Sequence, residues 1–136
     1  MMRFVVLLLL CASCSSAKQE AGSLVAAVDR FHKAENVDKP ARAMSIVAVV
    51  CTDVAVCDAK SACSVATRAT ADALVLKAEV EAKLAELKRG TLSKTDDAAR
   101  ALPSMLDEAG RLLDEGRRQM PVCDQKILAL RGRYDL

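Results

Sequence analysis

Between residue 23 and residue 131 the apolar positions recur at intervals of three and four, the period of helices that bury one face. Ser23 to Glu35 reads as a first helix, with Leu24, Val28 and Phe31 on one side and Val25, Ala27 and Ala34 widening the stripe. Asn36 ends it, and Val37 to Lys39 form a turn. Pro40 suits the first turn of a second helix, from about Lys39 to Val50, with Asp38 as its N-cap. Ile46 to Val50 is apolar almost throughout and reads equally as a short buried strand. No convincing partner strand follows, except Val54 to Val56, so helix is favoured. Being apolar all round, this element is expected to be the most buried.

The clearest pattern begins after Asp58, a suitable N-cap, and runs from Ala59 to Arg89, where Gly90 closes it. Its seam is Cys63, Ala66, Ala69, Ala73, Leu76, Val80, Leu84 and Leu87, and Glu79 with Lys83 forms a favourable pair on the wet side. The short link Thr91 to Thr95 requires the next helix to return antiparallel. That helix, 95–119, is capped by Thr95, with Asp96 and Asp97 in the first turn and Arg117 and Arg118 in the last, both on the favourable side of the dipole. Its seam is Ala98, Leu102, Met105, Ala109 and Leu112, with Leu106 and Leu113 beside it. Pro103 is expected to kink it near Ala99, and Pro121 to break the chain before a last short helix, Val122 to Arg131, ending at Gly132. Residues 133–136 read as a frayed tail. The expected fold is all-α: a disulfide-stapled bundle of about four helices with a long antiparallel hairpin, 59–89 against 95–119.

The start of the chain follows a different rule. Arg3 supplies a short basic region, Phe4 to Leu10 an unbroken apolar run, and Ala12 and Ser13 the small residues before Cys14. This is the layout of a secretory signal peptide. The run is far short of the roughly 20 residues a spanning helix needs. Its end, Cys11-Ala12-Ser13-Cys14, resembles a bacterial lipobox, with Leu10 one place before the position usual for leucine. Read onto Cys11, the site would place the bulky Leu10 in the last, small position, so Cys14 fits better. The alternative is an ordinary cleaved leader with two incidental cysteines.

The resemblance, which covers only the first 16 residues, implies a bacterial lipoprotein. It implies removal of residues 1–13 and acylation of Cys14, followed by a polar tether over 14–22, while the helical periodicity places the bundle domain over 23–132. Ser15, rather than aspartate, follows the acylated cysteine, which implies a place in the outer membrane of the cell envelope.

Composition narrows the remaining choices. The 136 residues make one domain. With 20 Lys and Arg against 18 Asp and Glu, net +2, no basic face is implied, and nucleic acid is a poor partner. Aromatics are 2% and Trp is absent, which disfavours sheets and carbohydrate-stacking platforms. An alanine-rich core is thin, so a domain of this size gains from staples.

Four cysteines remain in the body, Cys51, Cys57, Cys63 and Cys123. In an exported protein an even number implies disulfides, here two. Two cysteines six residues apart within one helix lie about 9 Å apart along its axis, too far to bond. Folding the hairpin about residue 92 brings Cys63 opposite roughly residue 120. The favoured pairing is therefore Cys63–Cys123 with Cys51–Cys57. The runner-up is Cys57–Cys123 with Cys51–Cys63. The spacing is wrong for a four-thiolate zinc site, and among these four cysteines neither Cys-x-x-Cys nor a haem-attachment motif occurs.

Catalytic signals are lacking. His32 is the single histidine and reads as a surface or partly buried structural residue. The serines and glycines form no nucleophile elbow or phosphate loop. Met44, Met105 and Met120 read as core filler. No cofactor, metal or catalytic residue is expected. The chain is read as a membrane-anchored envelope lipoprotein with a non-enzymatic, structural or protein-interaction role and an envelope protein as partner. Alternatives are a small-molecule carrier or sensor using the helical core, and a secreted soluble helical protein without lipid.

Overall fold

A computed structural model describes the backbone of residues 2–136 and the side chains of residues 16–136. Its elements are α1 (Met2–Lys33), α2 (Lys39–Val47), α3 (Val54–Arg89), the single turn α4 (Asp97–Arg100) and α5 (Leu102–Tyr134), with no strand among the described residues. The architecture is all-α, and α3 and α5 form the long antiparallel hairpin. At one end of the hairpin α1 and α2 complete an up-down-up-down bundle: Glu20 of α1 meets Thr52 ahead of α3, while Asp29 and His32 meet Arg131 and Asp124 of α5. At the other end α3 and α5 continue as a two-helix arm. With 36 residues, α3 is about 54 Å long.

Why the helices start and stop where they do is mostly local chemistry. Asp53, extended at φ −73° and ψ 133°, caps α3 by accepting the Val56 amide. Gly90 closes it at φ +76°, a left-handed conformation that only glycine adopts without strain. Asp58, read from the sequence as the cap, instead lies in the second turn, because Asp53 reaches the free amides five residues earlier. Asp38 does flank α2, but its side chain makes no capping bond.

Several expectations are corrected. Residues 16–22 are helical rather than a separate tether, and Ala21 is buried, so the folded body begins before Ser23. The second helix stops at Val47, and it is not the most buried element. Only Ala43 and Ile46 are enclosed, while Met44 is 63% exposed, which removes it from the core filler. Pro103 does not kink a continuous helix. It starts a new one at the first turn of α5, where its missing N–H has no cost. Pro121 does not break α5. Pro121 and Arg117 are both exposed, so the carbonyl left without an amide partner lies on the wet side. The helix also runs through Gly132, and residues 133–136 are not a frayed tail. The Leu136 amide donates to the Arg131 carbonyl, and Tyr134 packs on the core.

The core sits at the four-helix end. Leu24, Val28 and Phe31 of α1, Ile46 of α2, Val56 and Ala66 of α3, and Ile127 and Leu130 of α5 form one cluster. In the arm each helix has one neighbour and can bury only the inner edge of its seam. Val80, Leu102 and Ala109 are enclosed, whereas Leu84 and Leu106 remain substantially exposed.

Candidate functional site

Sulfur gathers the most constrained part of the molecule. Cys51, in the loop before α3, bonds Cys57 one turn into that helix, with Cα atoms 5.3 Å apart. The bond is possible because Cys51 lies outside the helix, as the axial-distance argument requires. Cys63 bonds Cys123 across the hairpin, Cα to Cα 4.6 Å, and both residues are fully enclosed. These are the pairs favoured by hairpin geometry, so the runner-up connectivity is not the one formed.

Such a close approach of α3 and α5 needs small residues nearby. Two turns away, Gly116 lies against Thr70 and the Ala66 carbonyl. A Cβ added at Gly116 would clash with Thr70 Oγ1 and come within 3.3 Å of two backbone atoms of α3. Thr67 and Thr70 avoid leaving polar atoms unpaired by donating their hydroxyls back to the carbonyls of Cys63 and Ala66, at 2.8 and 3.2 Å.

Around the staples, side chains bridge separate elements. Glu20 of α1 accepts from the Thr52 amide at 2.8 Å, the Thr52 hydroxyl at 2.7 Å and the Asp53 amide at 3.2 Å. The Thr52 amide above all, then its hydroxyl and the Asp53 amide, hold the Glu20 carboxyl below its ordinary value of 4.5, with desolvation opposing. Arg131 pairs with Asp29 at 2.7 Å, and Lys126 pairs with Asp58. The Lys39 ammonium donates to the Phe31 carbonyl at 2.9 Å and lies over the Phe31 ring, closing the C-terminal end of α1.

The sequence-derived residues separate into distinct places. Cys51, Cys57, Cys63 and Cys123 all lie in the stapled end. His32 sits on the surface, its Nε2 3.1 Å from Asp124 Oδ1. Met105 and Met120 are half-buried. The side chains of the leader, of the lipobox-like stretch and of Cys14 lie outside the described residues. Sequence reasoning misses Glu20 and Gly116. The signal for Glu20 is the need of a helix start for carboxylate acceptors, hidden by its place in a segment that reads as tether. The signal for Gly116 is a helical glycine in register with a cross-linked cysteine seven residues on.

Grooves among the described residues are shallow and open. One of about 340 Å³ lies between the α1–α2 link and α3, lined by Asn36, Val37, Leu74, Lys77, Ala78 and Glu81. A smaller, more apolar one of about 140 Å³ lies between α2 and α3, flanked by Met44, Arg68 and Asp72. No group of three or more potential metal ligands occurs among the described residues. Among them, too, no helix is long and apolar enough to cross a membrane. No family model, curated protein or solved structure matches the chain.

Proposed function

We propose that this chain is an exported lipoprotein of the bacterial envelope, acylated at Cys14 and held in the outer membrane. Its role is non-enzymatic: a rigid stapled body carries a helical hairpin that serves as a structural element or meets an envelope protein. The observation that carries this reading is the division of the cysteines. Cys14 follows an apolar leader and two small residues, and the four cysteines of the body are all consumed in two disulfides. That usage suits an oxidising compartment. Several acyl chains on one residue, at about 0.8 kcal/mol per buried CH₂, are sufficient to hold it to a bilayer.

Fractionation of cells producing the intact chain and its Cys14→Ser variant tests the proposal. The unaltered chain is expected in the outer-membrane fraction, released only by detergent. The variant is expected to leave that fraction while keeping both disulfides. Equal recovery of both forms in the soluble fraction would contradict the lipid anchor and leave a secreted soluble protein.

A further inference from the structure

The lipidated cysteine of the proposed function stands two residues before Ser16, and two residues of chain span at most about 7 Å. Ser16 is already at the rim of the folded body. With Gln19, Glu20 and Ser23 it lines an open groove of about 420 Å³ whose opposite wall is Val49 and Val50. The helix that carries Cys14 runs without interruption into the core as α1, and Glu20, one turn past Ser16, is tied to Thr52 and Asp53. Among the described residues no loop interrupts α1 between this end and the bundle.

Among the described residues, the same end of the molecule exposes valines that have no partner. Val50 is 73% and Val54 83% exposed, on the loop and first turn that lead into α3. Leu136, 41% exposed, lies beside Gly22 at the adjoining end of α5. The charged groups there are mixed: Lys18 and Arg133 against Glu20, Asp53 and Asp135, with Glu20 and Asp53 occupied by backbone amides. Among the described residues nothing at this end makes a cationic patch.

We propose that this end of the bundle, built from Ser16 to Glu20, Val49 to Val54 and Leu136, is a lipid-contacting base that rests on the bilayer holding the Cys14 acyl chains. The inference builds on the lipoprotein reading and adds an orientation. The bilayer is the occupant because the anchor leaves the valines no room to face anything farther away. Since α3 starts at this end, the hairpin points away from the membrane. Its Gly90–Thr95 turn then stands about 50 Å above the surface, by the rise of a helix of this length. Contact is apolar rather than electrostatic, so it is insensitive to salt.

The absence of Trp from the sequence provides a clean probe. Single Val50→Trp, Val54→Trp and Thr91→Trp variants of the full acylated protein are reconstituted into phosphatidylethanolamine–phosphatidylglycerol vesicles containing brominated lipid. All three sites are exposed, and helical content by circular dichroism verifies that each variant folds. Emission from Val50→Trp and Val54→Trp should be roughly halved, in low and high salt alike, since an interfacial ring sits within about 5–10 Å of the acyl boundary. Emission from Thr91→Trp should be unchanged. Intact mass of the vesicle-bound sample separates the two layers of the argument. Acylated, bound protein with all three probes equally unquenched overturns the docked base and leaves the lipoprotein reading standing. A crosslinked dimer whose Trp probes at positions 50 and 54 are shielded from water but not quenched by the brominated lipid assigns the patch to a second copy and equally overturns it. Protein that carries no acyl mass and does not float with the vesicles overturns both.

Discussion

The two ends of the α3–α5 hairpin are made of the same kinds of residue and held by different means. At the base, four helices enclose a shared core, two disulfides join elements, and the ion pairs Arg131–Asp29 and Lys126–Asp58 and the hydrogen bond between His32 and Asp124 connect residues far apart in sequence. Along the hairpin, the pairs Lys77–Glu81, Lys83–Glu79, Arg100–Asp97, Arg111–Glu108, Arg117–Asp114 and Arg118–Glu115 all join residues three or four apart on one helix. Such local pairs stabilise a helix by only about 0.2–0.5 kcal/mol each and do nothing to hold two helices together. An alanine-rich seam thus becomes a firm core only where a second layer covers it. In the proposed reading the base carries the anchor, and the arm is the part left to meet a partner.

The largest way to break this contrast is to remove the long staple. Replacing Cys63 and Cys123 by alanine frees a loop of 60 residues and should lower unfolding stability by about 4 kcal/mol in denaturant titration. Amide exchange in the arm, already governed by local opening, should change little. An equal loss of protection in both regions would show that they unfold as one unit. Gly116 tests the junction. Gly116→Leu forces a side chain into the space of Thr70 and the α3 backbone and should cost about 1–3 kcal/mol, measured as a fall in denaturation midpoint. A neutral result would show that the helices can part there without loss.

Smaller effects sharpen the comparison. Val80 is enclosed although it lies in the arm. Val80→Ala removes two carbons and should cost about 1.5 kcal/mol, read as faster exchange confined to residues around it. Glu20 tests the platform by pH. Its folded carboxyl is held below the ordinary value, so its contribution is present above that value and lost as pH falls through the lowered one. Thermal stability of the unaltered chain should therefore decline on acidification slightly more than that of Glu20→Gln. Parallel declines would remove Glu20 from the account.

Much of this division is legible in the order of the residues. The three-and-four spacing from Cys63 to Leu87 marks α3 because a helix packed along its length must repeat its apolar face. Gly90 marks the end because nothing else adopts its backbone so easily. The cysteine pairing follows from helix rise and the position of the turn. Context is what the residues do not carry. The proline rule says that Pro121 removes one hydrogen bond. It does not say that the freed carbonyl faces water, where the loss is tolerated. Ile46 to Val50 is apolar enough to be buried throughout. The chain turns out of α2 after Val47, and Val50 is left facing solvent because Cys51 must reach Cys57. Glu20 reads as tether because its partners, Thr52 and Asp53, are 32 and 33 residues away. Periodicity within a segment cannot report a contact of that range.

If export determines the sulfur chemistry of the whole chain, the intact mass of the native protein after treatment with an alkylating reagent records it. The expected species is a chain beginning at Cys14, carrying acyl mass on that residue, lacking four hydrogens for its two bridges and taking up no alkyl groups. A chain that retains residues 1–13, carries no lipid and is alkylated at Cys51, Cys57, Cys63 and Cys123 would contradict it.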